Sequence, residues 1–229
     1  MQLTVQQAAS FLDVPAGRVH DWIDGGEIPF SREQGRVHFN QTELLEWATA
    51  RGIRAATPQA AAGERAPGLA DALALGGVQA GVVAEGREAA IRAAVSLLPL
   101  GVAADPQMLI EVLLARESLG STAVGDGIAI PHVRAPIVEN GAAPAIALCA
   151  LARPVDFGAA NGKPVDTLFL LVSPTVSVHL QMLARLSAAL HDPGFKSAVL
   201  GRAPKEELLA HARRLDAAGR ALQQTARQG

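Results

Sequence analysis

The residues best placed to do chemistry in this 229-residue chain cluster at Ser121–Arg134, which reads Ser-Thr-Ala-Val-Gly-Asp-Gly-Ile-Ala-Ile-Pro-His-Val-Arg. Gly125 and Gly127 permit an abrupt turn into a short apolar strand. Pro131 lacks a backbone donor and is expected to stop that strand. His132 is thereby set at the end of a buried strand, where functional side chains often emerge. An imidazole of ordinary pKa, about 6.5, keeps a nucleophilic lone pair near neutral pH. Gly125-Asp126-Gly127 does not read as a dinucleotide loop, because no helix opens after it and the third small position holds Ile130.

Two more residues join this one. His179 falls in the first turn of a helix predicted over Val176–His191, on the stripe of Leu183, Leu186 and Leu190, so it faces the core. Arg116 follows Leu109, Val112 and Leu113 at helical offsets, and an arginine ending a core-facing stripe calls for an anionic partner. Ser121 reads equally as a turn cap or an anion contact. His191 and His211 read as solvent-facing helix residues. A zinc site from His132, His179 and a carboxylate finds no support in ligand spacing.

The elements that must position these groups are legible as alternating helix and strand patterns. Glu85–Leu98 carries Ile91, Val95 and Leu98 on one helical stripe. Asp105-Pro106 is a cap followed by a proline in the first turn, opening a helix to about Glu117. Gly127–Ile130, Ala145–Leu151 and Asp166–Ser173 read as buried strands, and helices are predicted over Val176–His191, Pro193–Leu200 and Pro204–Ala217. Interleaved strands and helices predict an α/β layered domain. Residues 51–68, rich in Ala, Gly and Pro and poor in bulky apolar side chains, read as a flexible linker, dividing the chain into domains at 1–50 and 69–229.

The second domain resembles the enzyme IIA domain of the bacterial phosphotransferase system, in its fructose/mannitol and nitrogen-regulatory class. The resemblance rests on Leu114-Ala115-Arg116-Glu117, Ser121-Thr122, Gly127-Ile128-Ala129-Ile130-Pro131-His132, Pro154-Val155-Asp156-Phe157, Gly162-Lys163-Pro164-Val165-Asp166 and His179-Leu180, in that order. It implies a mixed β-sheet flanked by helices on both faces, the enzyme IIA type 2 fold. It also implies a phosphotransferase carrier phosphorylated on His132 by the small carrier HPr or its nitrogen-branch counterpart, with Arg116, Ser121 and His179 in support. Transfer of this kind asks for positioning and charge stabilisation. The phosphoryl group adds about −1.5 to −2 of charge, which Arg116 would offset, with His179 as a hydrogen-bond donor. The N–H groups opening the Val176 helix are expected to add a dipolar contribution. No cofactor or metal is required.

Residues 1–49 resemble the excisionase/MerR-type helix-turn-helix through Leu3-Thr4-Val5, Ala8-Ala9, Leu12, Val14, Val19, Trp22-Ile23, Gly26, Ile28-Pro29, Arg36-Val37-His38-Phe39 and Leu44-Leu45-Glu46-Trp47. Helices are predicted over Gln6–Leu12, from Pro15 to about Asp24, and over Gln41–Thr49, with Gly35–Phe39 in a hairpin arm. The resemblance implies that the second helix enters the major groove and the arm touches phosphates. The candidate DNA contacts are Arg18 and His20 on the helix, with Arg32, Arg36 and His38 in the arm. Against this, residues 1–49 hold three Arg, no Lys and seven acidic residues, a balance of −4, whereas nonspecific affinity for DNA comes chiefly from cations. A helix-turn-helix used for protein contact or homodimerisation is the competing reading.

The bulk composition sets the frame. Hydrophobic residues make up 49% and aromatics 3%, so the core must be built from Ala, Val, Leu and Ile. The net charge of −2 gives no global case for nucleic acid. The single Cys149 excludes an internal disulfide and fits a reducing cytoplasm. No apolar run approaches the roughly 20 residues of a membrane helix, so no membrane insertion is expected. The expected role is a cytoplasmic regulator acting on transcription or on a target protein. The alternative is a non-catalytic DNA- or protein-binding adaptor with a vestigial His132.

Overall fold

The computed structural model describes residues 2–33, 35–53, 55–56, 66–99, 105–133, 143–159 and 161–225. The N-terminal module begins with β1 (Gln2–Leu3), α1 (Val5–Leu12) and α2 (Ala16–Asp24). The hairpin β2 (Ser31–Glu33) and β3 (Arg36–Asn40) follows, then α3 (Gln41–Ala50). The Thr4 hydroxyl accepts the Gln7 N–H, and the Gln7 side chain accepts the Thr4 N–H in return, closing a capping box on α1. The Asn40 side chain caps α3 by accepting from Thr42 and Glu43 N–H. Pro15 sits just outside α2 as its extended N-cap rather than inside the first turn. The strands pair antiparallel in the order β1-β3-β2. Leu12, Val19, Phe39, Leu44 and Leu45 fill the centre. Trp22 and Trp47 meet edge to face at 4.9 Å, and the Trp47 indole N–H donates to the Glu27 carbonyl.

The second domain runs α4 (Leu69–Gly76), β4 (Val78–Val82), α5 (Gly86–Ser96), α6 (Pro106–Ser118), β5 (Ala123–Gly125), β6 (Ile128–Ala129), β7 (Ala145–Val155) and β8 (Val165–Val172). It closes with α7 (Val176–His191), α8 (Pro193–Leu200) and α9 (Lys205–Thr225). The sheet order is β4-β7-β8-β6-β5, with β4–β7 and β6–β8 parallel and β7–β8 and β5–β6 antiparallel. It is therefore a mixed sheet. The central pair explains how a chain so poor in aromatics closes its core. On one face Ala145, Ala147 and Cys149 oppose Val172, Leu170 and Leu168; on the other Ile146 and Leu148 oppose Leu171 and Phe169. Small residues facing large ones keep the layers interlocked. The first face packs under α5 and α6, and the second under α4, α7, α8 and α9.

Two elements close this second face. α4 has its first N–H groups capped from the far end of the chain, where Asp216 on α9 accepts from Leu69 and Ala70. Its last residue, Gly76, lies so close to β7 that an added Cβ would stand 2.3 Å from the Ile146 carbonyl carbon. α4, β1, β4 and β5 go beyond the elements expected from sequence. β7 runs past Leu151 to Val155, and α9 runs past Ala217 to Thr225.

The module packs onto this second face. Leu44, Leu45 and Ala48 of α3 belong to the same buried cluster as Leu180, Leu183 and Leu186 of α7. Of the predicted linker, residues 54 and 57–65 lie outside the described residues. Its described ends are held: Ala56 N–H donates to Phe11, and Ala66 N–H to the Gln181 side chain. The Arg185 guanidinium donates to the carbonyls of Ala66 and Pro67.

Candidate phosphoryl-acceptor site

The site is assembled from three element ends. The Asp105 carboxylate accepts from Gln107 and Met108 N–H and fixes the start of α6, with Pro106 in its first turn. Arg116 is thereby delivered at the last turn of α6, where its Nη1 donates to the Gly120 carbonyl at 2.9 Å. The loop that follows is held by Glu117, which is 3% exposed. Glu117 Oε1 accepts the Thr122 N–H at 3.0 Å, and Oε2 accepts the Thr122 hydroxyl at 2.7 Å.

β5 and β6 then form a hairpin whose two-residue turn, Asp126-Gly127, has φ of +50° and +75°. That is the geometry of a type I′ turn, and it explains Asp-Gly at these positions. β6 ends at Ala129, short of Pro131, as expected. Proline lacks a donor but still accepts: the Pro131 carbonyl takes the Leu171 N–H at 3.0 Å, and His132 meets β8 again in an isolated bridge to Leu171.

His132 is 4% exposed. Its Nδ1 lies 2.6 Å from the Ile130 carbonyl, which can only accept, so the proton sits on Nδ1 and Nε2 is the free nucleophilic position. Thr175 caps α7 by accepting the Val178 N–H, and the first turn of α7 carries His179. The two imidazoles lie 5.3 Å apart, and His179 Nδ1 is 3.2 Å from the Ser173 hydroxyl.

Arg116, His132 and His179 are therefore brought together. Ser121 lines the same cavity, but its hydroxyl accepts the Ala123 N–H at 3.2 Å and so works as a turn cap here. His191 is exposed on α7, as expected. In addition, its Nδ1 and Nε2 lie 2.7 and 2.8 Å from the carbonyls of Ser187 and Gly52, joining α7 to the end of the module. His211 is half-buried and pairs with Arg214.

The residue that sequence reasoning missed is Glu46 on α3. Its Oε2 accepts from Arg116 Nη2 at 2.9 Å, and its Oε1 stands 3.1 Å from His132 Nε2. The second contact is a close approach rather than an aligned hydrogen bond. Glu46, Thr49 and Ala50 of α3 close a cavity of about 30 Å³ over Arg116, Ser121, Thr122 and His132. That is room for a water or two. No pattern within residues 1–50 marks Glu46, because its partners lie 70 and more positions away. Glu117 stood inside the quoted Leu-Ala-Arg-Glu motif, but its partner Thr122 is fixed only by the loop.

Residues 74–213 match the family described as phosphoenolpyruvate-dependent sugar phosphotransferase system, EIIA 2, which covers more than half of the chain. The chain belongs to this family. Residues 3–52 match a helix-turn-helix domain. Relatives of the EIIA domain include the nitrogen regulatory proteins of Pseudomonas aeruginosa, 46% identical over 88 residues, and Bradyrhizobium diazoefficiens, 48% identical over 85 residues. These stretches are 38% and 36% of this chain and 55% and 53% of the relatives, so the chain spans about half the length of those proteins.

Among solved structures, the nitrogen regulatory protein IIA-Ntr of Neisseria meningitidis aligns with a TM-score of 0.55 at 27% identity. The alignment covers 63% of this chain and 98% of that one. The mannitol IIA of Escherichia coli, at 24% identity and TM-score 0.50, shares the fold. Among the described residues no helix is long and apolar enough to cross a membrane, and no group of His, Cys, Asp and Glu could hold a metal ion.

Proposed function

We propose that the EIIA domain accepts a phosphoryl group on His132 Nε2 from HPr or its nitrogen-branch counterpart, and serves as a regulatory carrier. One observation carries this reading. Arg116 Nη2 and His132 Nε2 converge on the two oxygens of a single carboxylate, so a guanidinium and a nucleophilic nitrogen address one anion-sized position. Phosphoryl transfer asks for that pairing, since its catalysis is positioning plus charge stabilisation. In the step, the N–P bond of the donor's phosphohistidine breaks as the His132 Nε2–P bond forms. The donor imidazole recovers its lone pair, and the His132 proton stays on Nδ1, donated to the Ile130 carbonyl. Arg116 would hold two phosphoryl oxygens, and His179 and the first turn of α7 would face the third.

The test is transfer of label from phosphoenolpyruvate through enzyme I and either carrier to the full chain. Acid-labile label on wild type and none on His132→Ala is expected. Absence of label with both donors would leave a non-catalytic adaptor.

A second reading, DNA binding by the module, is favoured by one observation. Arg18, His20, Arg32 and Arg36 are all exposed while α3 is docked, so the face expected to meet DNA lies off the EIIA contact. His38 is half-buried, Arg18 lies over the Trp22 ring at 5.2 Å, and Asp21 and Asp24 flank this face with opposing charge. Binding that weakens steeply with salt, and weakens further in Arg36→Ala, would support phosphate contact. Regulation of transcription or of a target protein is the role in which the two domains would act together.

A further inference from the structure

We infer that Glu46 is a built-in occupant of the phosphoryl site, so that docking of the helix-turn-helix module and phosphorylation of His132 exclude each other. The inference rests on the phosphoacceptor reading above and goes beyond it by naming the partner of that surface: α3 of the same chain.

Three observations carry it. First, the Glu46 carboxylate makes the contacts a phosphoryl group would need, one oxygen on Arg116 Nη2 at 2.9 Å and the other 3.1 Å from His132 Nε2. Phosphorus bonded to Nε2, with its oxygens, would fill the space that Glu46 Oε1 holds. Second, α3 buries the nucleophile. His132 is 4% exposed beneath Glu46, Thr49 and Ala50, and the remaining cavity of about 30 Å³ admits no donor protein. Transfer therefore requires that α3 leave. Third, the carboxylate and the phosphoryl group compete for Arg116. Nη1 donates to the Gly120 carbonyl and Nη2 to Glu46, and two anions brought against one guanidinium repel each other.

The contact is built to release. Among the described residues it includes the Glu46–Arg116 ion pair, the apolar packing of α3 on α7 and the approach of His191 to the Gly52 carbonyl, and the covalent connection lets the module return at high effective concentration. Loss of Glu46 should therefore open the site without unfolding either domain, and phosphorylation should do the same by displacing its carboxylate. The exposed cations of α2 and of the hairpin stay exposed throughout, so what changes is how the module is held, not whether that face is covered.

Full-length wild type, Glu46→Ala and the isosteric Glu46→Gln would be compared by two readouts. One is carbethoxylation of His132 by diethyl pyrocarbonate, followed on the peptide by mass, which needs no phosphodonor. The other is the initial rate of label transfer from the phosphorylated carrier. Both rates are expected to rise roughly tenfold or more in Glu46→Ala, with Glu46→Gln between, as for removal of one partner of a buried ion pair. Either rate at or below wild type in both variants would overturn the exclusion, the label still being on His132. Label on no variant with either donor would instead overturn the phosphoacceptor reading, and the exclusion with it.

Discussion

The Glu117–Thr122 clasp should be worth more than any surface contact near the site, and Thr122→Val isolates its hydroxyl half. Valine keeps the shape and the β-branching of threonine. It also leaves intact the 3.0 Å backbone bond from Ile130 N–H to the Thr122 carbonyl, which ties the loop to the strand before His132. What disappears is the 2.7 Å hydrogen bond to a carboxylate that is 3% exposed. A hydrogen bond to a charged partner contributes about 1.5–3 kcal/mol, so a loss of about 2 kcal/mol is expected. For a domain of this size that lowers Tm by about 4–8 °C.

Glu117→Ala removes both bonds and strands the Thr122 N–H in the interior, so it should cost about 3–5 kcal/mol. The double variant should then fall short of the sum of the two by about 1–2 kcal/mol, as for residues in direct contact. Thermal unfolding followed by circular dichroism gives the stabilities, and amide hydrogen exchange at Thr122 gives the local effect. A Thr122→Val protein within about 0.5 kcal/mol of wild type would refute the clasp, since that is the range of ordinary surface changes.

Three other outcomes follow from the packing and electrostatics. Gly76→Ala should destabilise by about 1–3 kcal/mol or more by overpacking, because its Cβ would meet the Ile146 backbone at 2.3 Å and drive α4 off β7; urea unfolding measures this. Burial pushes the Cys149 thiol up to about 11 from 9.0, so the native chain should resist alkylation that the unfolded chain accepts. The unfolded thiol ionises first, so stability should fall as pH rises from about 9 to about 11, and Cys149→Ala should flatten that slope. The Lys196 hydrogen bond and charge, together with the charge of Lys163, hold the Asp126 carboxyl below 3.8. The matching stability is present above 3.8 and is lost as pH falls through the native value, and Lys196→Ala should return the carboxyl toward 3.8 in an NMR titration.

Much of this arrangement can be read in the sequence because it is carried by local chemistry. Asp105-Pro106 announces the start of α6, Gly125 and Gly127 the abrupt turn into β6, and the stripe of Leu183, Leu186 and Leu190 the buried face of α7 that also carries His179. What escaped reading is set by tertiary contact. β4 is an edge strand whose Gln79, Ala80 and Gly81 are exposed, so it shows no alternation. α4 is short and takes its N-terminal cap from Asp216, nearly 150 residues away. The last helix, expected to end at Ala217, continues through Gly219 to Thr225. Glu46 is the extreme case. It lies between the core residues Leu45 and Trp47 on a helix resembling that of a DNA-binding module, and only the docked fold reveals that it faces a histidine from the other domain.

The edge-to-face pair of Trp22 and Trp47 also gives the molecule an optical asymmetry. The chain has two tryptophans and no tyrosine, and both tryptophans lie in the N-terminal module. The EIIA domain, with phenylalanine as its only aromatic residue, is dark wherever indole emission is read. Trp47 stands next to Glu46 on α3, so native fluorescence reports the helix that covers His132 and is blind to the sheet beneath it. The emission of the unlabelled protein can follow the module on and off its seat while circular dichroism follows the whole fold.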